Sequence, residues 1–179
     1  YVPDFISKKE EAGGTRRGSA YHRVMELLDY TDIPEADLFT WYSEQTDKMV
    51  TSLKISKEET ELVNARKVLG FLANPLAGRM GRAQQNGVLY KEQPFVLGIE
   101  ANQLKKEFPS EEIVLIQGVI DVYFEEDGEL VILDYKTDRV DNVQELVTRY
   151  ATQLDYYAMA LERTEHKKVK EKIIYSFAL

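Results

Sequence analysis

The stretch Ile113–Asp138, IVLIQGVIDVYFEEDGELVILDYKTD, constrains the fold more than any other part of the chain. It reads as two apolar strands, Ile113–Phe124 and Glu129–Lys136, joined through Glu126-Asp127-Gly128-Glu129. Asp-Gly between apolar runs is a strong hairpin signal, because both central residues of a type I′ turn need φ > 0. If Asp127 and Gly128 form the loop, Glu126 faces Glu129. Counting back along both strands then sets Asp121 opposite Asp134.

That register brings two carboxylates to within roughly 4.5–5.5 Å at Cβ on one sheet face. Side chains return to the same face every second residue, so Lys136 joins Asp134 there. Like charges at that distance repel by about 3 kcal/mol at an effective dielectric near 20. A shared proton, the nearby lysine or a divalent cation has to offset this. Carboxylate oxygens with open positions suit Mg²⁺ or Mn²⁺, and a lysine beside such an ion helps activate a water and steady developing negative charge. The Asp…Asp-x-Lys set therefore reads as a metal site for attack on a phosphodiester. A surface hairpin with a one-residue bulge carries the same residues without any site.

The 179 residues suit one sizeable domain with a helical lobe. The chain opens on Tyr1 rather than Met, which suggests a piece of a longer protein. With no cysteine, disulfides, zinc ribbons and cysteine-ligated iron–sulfur clusters are excluded, and a cytosolic setting fits. Only two histidines are present, so a metal must rest mainly on carboxylates. The net charge of −8 argues against a free-standing high-affinity DNA binder, whose footprint is usually basic. A catalytic module handed its nucleic acid by other domains escapes that objection. No apolar window approaches the roughly 18 residues of a membrane span, and no secretory signal opens the chain.

Residues 1–14 read as a lead-in ending in Gly-Gly, and Thr15 or Ser19 can cap a first core helix over 15–31. Ala20, Val24, Leu27 and Leu28 form its apolar stripe, with His22 and Glu26 on another face. Residues 32–84 are expected to be a helical insertion, with Pro34 at a first helical position and Leu38, Trp41, Tyr42, Met49, Val50 and Leu53 as apolar contacts. A capping box at Ser56–Glu59 opens one helix running to Asn74, and a short helix Leu76–Gln84 follows. Arg79 and Arg82 on that helix suit a solvated face or a phosphate.

The sheet core is expected over 87–179. Gly87–Gly98 is extended, with Pro94 marking an edge or bulge, and 99–112 is a loop. After the hairpin, Asp141 or Asn142 caps a helix over 142–163 with the stripe Val143, Val147, Tyr150, Leu154, Tyr157 and Leu161. Tyr150 is explained there as core, and Gln153 sits on the stripe's flank. A lysine-rich turn at 166–172 leads to a last strand, Ile173–Ala178. Such an order gives an α/β (α+β) layered domain: a mixed sheet flanked by helices, with the helical lobe beside it.

Gly18-x-x-x-His22, Gly118-x-x-Asp121, Asp134-Tyr-Lys136-Thr137 and Tyr150-x-x-Gln153-x-x-x-Tyr157 stand in the order and spacing of the RecB-like branch of PD-(D/E)XK nucleases. Over nearly its whole length, including the lobe and Lys91–Phe95, the chain most resembles the C-terminal nuclease domain of AddA (RexA) helicase–nuclease subunits. The resemblance implies a restriction-endonuclease-like fold and a Mg²⁺-dependent deoxyribonuclease, with Mn²⁺ able to substitute. His22, Asp121, Asp134 and the Tyr135 backbone carbonyl would hold the metal, and Lys136 would orient the attacking water. Gln153, Tyr157, Thr137 and Arg17 would border the site toward DNA, with Glu26 and Glu92 as further carboxylates behind it. It implies single-stranded DNA ends as substrate, helicase domains in the same polypeptide and an AddB/RexB-type partner. The setting would be bacterial, cytoplasmic double-strand break repair. The missing cysteines point away from branch members with an iron–sulfur cluster. The rival is a non-catalytic module of this fold that guides DNA or docks a partner protein; an RNA-directed or structure-specific nuclease is a further alternative.

Overall fold

Asp127 and Gly128 adopt φ 54° and 77°, the left-handed pair a type I′ turn requires. In the computed structural model, which describes residues 16–109 and 111–179, they join β2 (Ile113–Glu126) to β3 (Glu129–Lys136). The antiparallel register runs from Glu126↔Glu129 to Val122↔Leu133, as the turn dictates. β2 extends two residues past the expected Phe124, because its ladder continues to the turn.

β1 (Leu89–Glu100) pairs antiparallel with β2 from Leu89↔Phe124 to Glu100↔Ile113, and lies at the sheet edge, the position in a sheet that tolerates Pro94. On the other side β4 (Val169–Ser176) pairs parallel with β3, giving a four-stranded mixed sheet of order β1-β2-β3-β4. β4 starts inside the stretch read as a lysine-rich turn. Its backbone gains the β3 ladder, while Lys170 and Lys172 point away to pair with Glu126 (2.9 Å) and Asp155.

Helices cover both faces. α1 (Arg16–Leu27) and a lobe of α2 (Leu38–Thr51), α3 (Lys57–Glu61), α4 (Ala65–Leu72) and α5 (Pro75–Gln85) pack on one face. There Tyr21, Val24, Met25, Val68, Phe71 and Met80 meet Val122, Phe124, Val131, Leu133 and Tyr135. A short helix, α6 (Ala101–Leu104), interrupts the expected 99–112 loop. The crossover helix α7 (Val143–Glu165) covers the opposite face, where Leu154, Tyr157 and Leu161 meet Ile120, Tyr123, Leu130 and Ile132.

Several boundaries differ from expectation. The lead-in and Thr15 lie outside the described residues. α2 begins after Asp37 rather than at Pro34, because the Asp37 carboxylate caps it by accepting from the Thr40 N–H. The Ser56 capping box forms, yet α3 stops at Glu61 and Asn64 caps a new helix, so one expected helix is two. Leu53 is no core residue: at φ 59° in the turn after α2, it is 92 % exposed. On α7, where Asn142 is the cap, Val143 and Val147 are exposed and the buried set starts at Leu146, so the buried face is rotated from the expected stripe over the first turns.

Arg79 serves neither solvent nor phosphate. Its guanidinium donates to both Glu126 oxygens (3.0 and 2.9 Å) and both Glu171 oxygens (3.1 and 3.1 Å), tying α5 to the end of β2 and to β4. Arg79, with Lys170, holds the Glu126 carboxyl down to about 2 from an ordinary value near 4.5. A depressed carboxyl stabilises the fold above its unfolded value and loses that contribution as pH falls through its folded value. Arg79→Ala should therefore cost about 1–2 kcal/mol near neutrality, discounted for partial exposure. Urea unfolding should show the gap to the parent narrowing as pH drops from about 4.5 toward 2; a gap independent of pH would contradict this.

Candidate active site

Alternation slips in β1 and β2 at one level. Tyr90 and Phe95, an odd number apart, both pack toward α7, as do Ile120 and Tyr123. Glu92 stands between the first two with φ 49°, a conformation costly for a residue with a Cβ. The β1–β2 register is unbroken from Lys91↔Val122 to Gln93↔Ile120, so the two strands change phase together, with Glu92 at the level of Asp121. The β2–β3 ladder ends at the same level, at Val122↔Leu133. Asp121 and Asp134 thus stop one step short of a ladder pair, and the strands part where their carboxylates would meet.

Into that parting reaches the Asp121 side chain. Its Oδ2 accepts from the Tyr135 N–H at 2.8 Å and lies 3.2 Å from His22 Nε2. The same nitrogen is 3.2 Å from the Tyr135 carbonyl oxygen. The Tyr135 ring is locked against Phe71 and Phe177, with centroids 5.8 Å away in each case, which fixes the peptide that presents both groups. Burial above all, then Tyr30, pushes the Tyr135 hydroxyl well above its ordinary value, so it stays neutral in the core.

On the other side of that peptide, Lys136 Nζ lies 2.6 Å from Asp134 Oδ2 and donates to Gln153 Oε1 at 2.9 Å. Gln153 Nε2 donates in turn to the Tyr157 hydroxyl at 2.8 Å. The Tyr157 ring meets Phe95 edge-on at 5.2 Å. Gly118 makes room for this: a Cβ there would stand 2.8 Å from the Phe95 ring. Gly118 in the Gly-x-x-Asp motif is thus explained by packing.

Among the described residues the buried polar and charged side chains are Asp121, Asp134, Lys136 and Gln153, and all four belong to this cluster. Each buried ion costs several kcal/mol of lost hydration. The concentration of that cost in one place makes this cluster the candidate functional site.

Glu26 is ion-paired with Arg23 at 2.7 Å. Arg17 is on the exposed side of α1, 5.8 Å over the Tyr21 ring. Thr137 follows β3 half-buried. Gln153 and Tyr157 are buried rather than presented to a strand of DNA, with the Gln153 amide spent on Lys136 and Tyr157. Sequence reasoning missed Asp138 and Arg149: Asp138 Oδ2 accepts from the Tyr150 hydroxyl (2.5 Å) and pairs with Arg149 (3.0 Å). No motif marks that pair; only closeness to Lys136 could have drawn attention to it.

His22, Asp121 and the Tyr135 carbonyl fit a hard divalent cation. The carboxylate and carbonyl oxygens are the donors such an ion prefers, and the imidazole nitrogen is a softer third. Their 3.2 Å spacings about Nε2 approach the separation of neighbouring donors around Mg²⁺, roughly 3 Å for octahedral bonds near 2.1 Å. Nε2 faces two acceptors and so carries the ring proton; serving as a ligand means giving it up. Among the described residues, however, no three His, Cys, Asp or Glu side chains converge on one point. The physical reason is charge: Asp134 lies against Lys136, and a second carboxylate beside Asp121 needs a cation between them.

Comparison with known proteins agrees with this geometry. The family model described as the PD-(D/E)XK nuclease superfamily matches residues 3–178. Relatives named as ATP-dependent helicase/nuclease subunits include those of Lachnoclostridium phytofermentans (34 % identical, 99 % of this chain, 15 % of the relative) and Clostridium kluyveri (35 %, 98 % and 14 %). The Clostridium botulinum protein of the same name is 36 % identical over 99 % of this chain and 14 % of its own length. The chain spans about a seventh of these relatives. With the helix-flanked mixed sheet and the family model running almost end to end, the chain belongs to the PD-(D/E)XK nuclease superfamily.

Proposed function

We propose that this domain hydrolyses phosphodiester bonds of single-stranded DNA in a reaction dependent on Mg²⁺, for which Mn²⁺ can stand in. The observation that carries the reading is the concentration of Asp121, Asp134, Lys136 and Gln153 as the buried polar set of the described residues. His22, Asp121, Asp134 and the Tyr135 carbonyl would hold the ion, and Glu92, at the level of Asp121 in the β1–β2 register, would be a further carboxylate behind them. Bound there, a divalent cation lowers the pKa of a coordinated water and polarises a phosphoryl oxygen.

The chain's own residues do the rest. Asp121 fixes the Tyr135 peptide through its N–H, so that the carbonyl points toward His22. Lys136, held between Asp134 and Gln153, supplies a positive charge aimed where negative charge develops on the phosphate. Burial of the whole group strengthens these interactions relative to water.

The relatives' names, which join helicase to nuclease and denote one subunit, support a nuclease segment of a helicase–nuclease polypeptide; the proposal extends this to an AddB/RexB-type partner and the processing of double-strand breaks in the bacterial cytoplasm. In that setting the motor domains deliver the strand, which accounts for catalysis by a domain of net charge −8. Among the described residues no helix is long and apolar enough to cross a membrane. The test is cleavage of end-labelled single-stranded DNA by the purified protein in Mg²⁺ or Mn²⁺. Products that vanish with a chelator and return with either ion are expected. An inert protein that binds DNA without cutting it would favour a guiding or docking module, and equal cleavage of RNA would refute the substrate assignment.

A further inference from the structure

Tyr150 lies on the apolar stripe of α7, and core packing alone would account for a tyrosine there. Its surroundings are not those of a core residue. The face of its ring lies 4.0 Å from Lys136 Nζ, closer than the roughly 6 Å within which a ring attracts a cation. Its hydroxyl donates to Asp138 Oδ2 at 2.5 Å, and Asp138 is held by Arg149 at 3.0 Å. Arg149 is secured by Glu145, one turn back on the same helix, at 2.6 Å. Burial first, then the bond to Asp138, pushes the Tyr150 hydroxyl well above its ordinary value, so it stays a donor and the ring keeps its orientation.

We infer that Tyr150 is a positioning residue for Lys136: its ring forms one wall of a three-sided seat for the ammonium, and Asp138 with Arg149 holds that wall in place. The other walls are the Asp134 carboxylate and the Gln153 amide oxygen. A lysine ammonium on a four-carbon stem is otherwise mobile, and two hydrogen bonds leave it free to pivot about the line joining their acceptors. A ring face on a third side removes that freedom without taking a proton from the ammonium. The attraction is strong here because Lys136 and Tyr150 are both buried. This inference rests on Lys136 acting in phosphodiester cleavage, and it assigns to Tyr150 an effect on turnover rather than on substrate or metal binding.

The test compares Tyr150→Phe, which keeps the ring and loses the hydroxyl, with Tyr150→Leu, which keeps an apolar side chain and loses the ring. Steady-state cleavage of a single-stranded oligonucleotide in Mn²⁺ should show kcat for Tyr150→Leu reduced at least tenfold. KM and Mn²⁺ affinity should stay within about twofold, and Tyr150→Phe should keep kcat within about threefold. Equal kcat in Tyr150→Leu and the parent would overturn the proposal, as would equal losses in both variants. An effect confined to KM would overturn it too. A second readout needs neither activity nor a folded Tyr150→Leu protein. In the parent and in Tyr150→Phe, NMR should show the Lys136 ε-methylene protons shifted upfield by the ring; ordinary lysine shifts would refute the seat. Should Lys136→Ala cleave like the parent, the reading of Lys136 fails, while the NMR result still decides the placement of Tyr150.

Discussion

Asp121→Ala is expected to lower metal-dependent cleavage by on the order of 10³-fold or more while leaving a folded protein. The loss follows from three roles of one carboxylate. It is a proposed metal ligand, it lies 3.2 Å from His22 Nε2, and it accepts the Tyr135 N–H at 2.8 Å. Alanine removes the ligand and releases the peptide whose carbonyl faces the same point. Stability should change little, because two effects of similar size oppose. A buried N–H left without a partner costs about 1–3 kcal/mol. Removing a carboxylate that is itself buried also returns the several kcal/mol of hydration it loses on folding. Cleavage assays and thermal unfolding of the purified variant check both halves. Substantial cleavage in Mn²⁺ would refute the assignment of Asp121.

Lys136→Ala should show the opposite balance, with cleavage falling about 10²–10³-fold as expected for removing one preorganised positive group and stability suffering as well. Asp134 is fully buried, and Lys136 is the cation 2.6 Å from its Oδ2. Removing one partner of a buried ion pair costs about 3–5 kcal/mol, unless the orphaned carboxylate takes up a proton. A divalent ion can supply the lost charge to Asp134. Mn²⁺ should therefore raise the melting temperature of Lys136→Ala more than that of the parent, since a ligand stabilises in proportion to its preference for the folded state. Cleavage should not return with it. Full activity, or a melting temperature indifferent to Mn²⁺, would contradict the account.

Much of this arrangement is legible in the chain because turn chemistry is local. Asp127-Gly128 sets the register, and from it follow the β2–β3 pairs as far as Val122↔Leu133 and the place of Asp134 and Lys136 on β3. Asn142, the Ser56 capping box and the edge position of Pro94 are local in the same sense. Long-range chemistry was not legible. The phase change at Glu92 and Asp121 depends on two strands slipping together, which no single window of sequence contains. Arg79 looked solvated because its partners, Glu126 and Glu171, are far along the chain. Gln153 reads as a flank residue by helical period and becomes buried only because Lys136 offers an amide a partner. The break between α3 and α4 hid behind continuous apolar spacing, although the Asn64 cap was visible. His22 is the instructive case. Its contact with Asp121 bridges α1 and β2, and only the resemblance to RecB-like nucleases singled it out beforehand.

The most direct test is diffraction from crystals of this protein soaked in Mn²⁺, collected where manganese scatters anomalously. One peak is expected within bonding distance of Asp121 Oδ2, His22 Nε2 and the Tyr135 carbonyl oxygen, with one Asp134 carboxylate oxygen brought to it while the other stays on Lys136. A saturating soak with no peak there, or with neither Asp134 oxygen in reach of the ion, would contradict a metal-dependent nuclease site at this place in the fold.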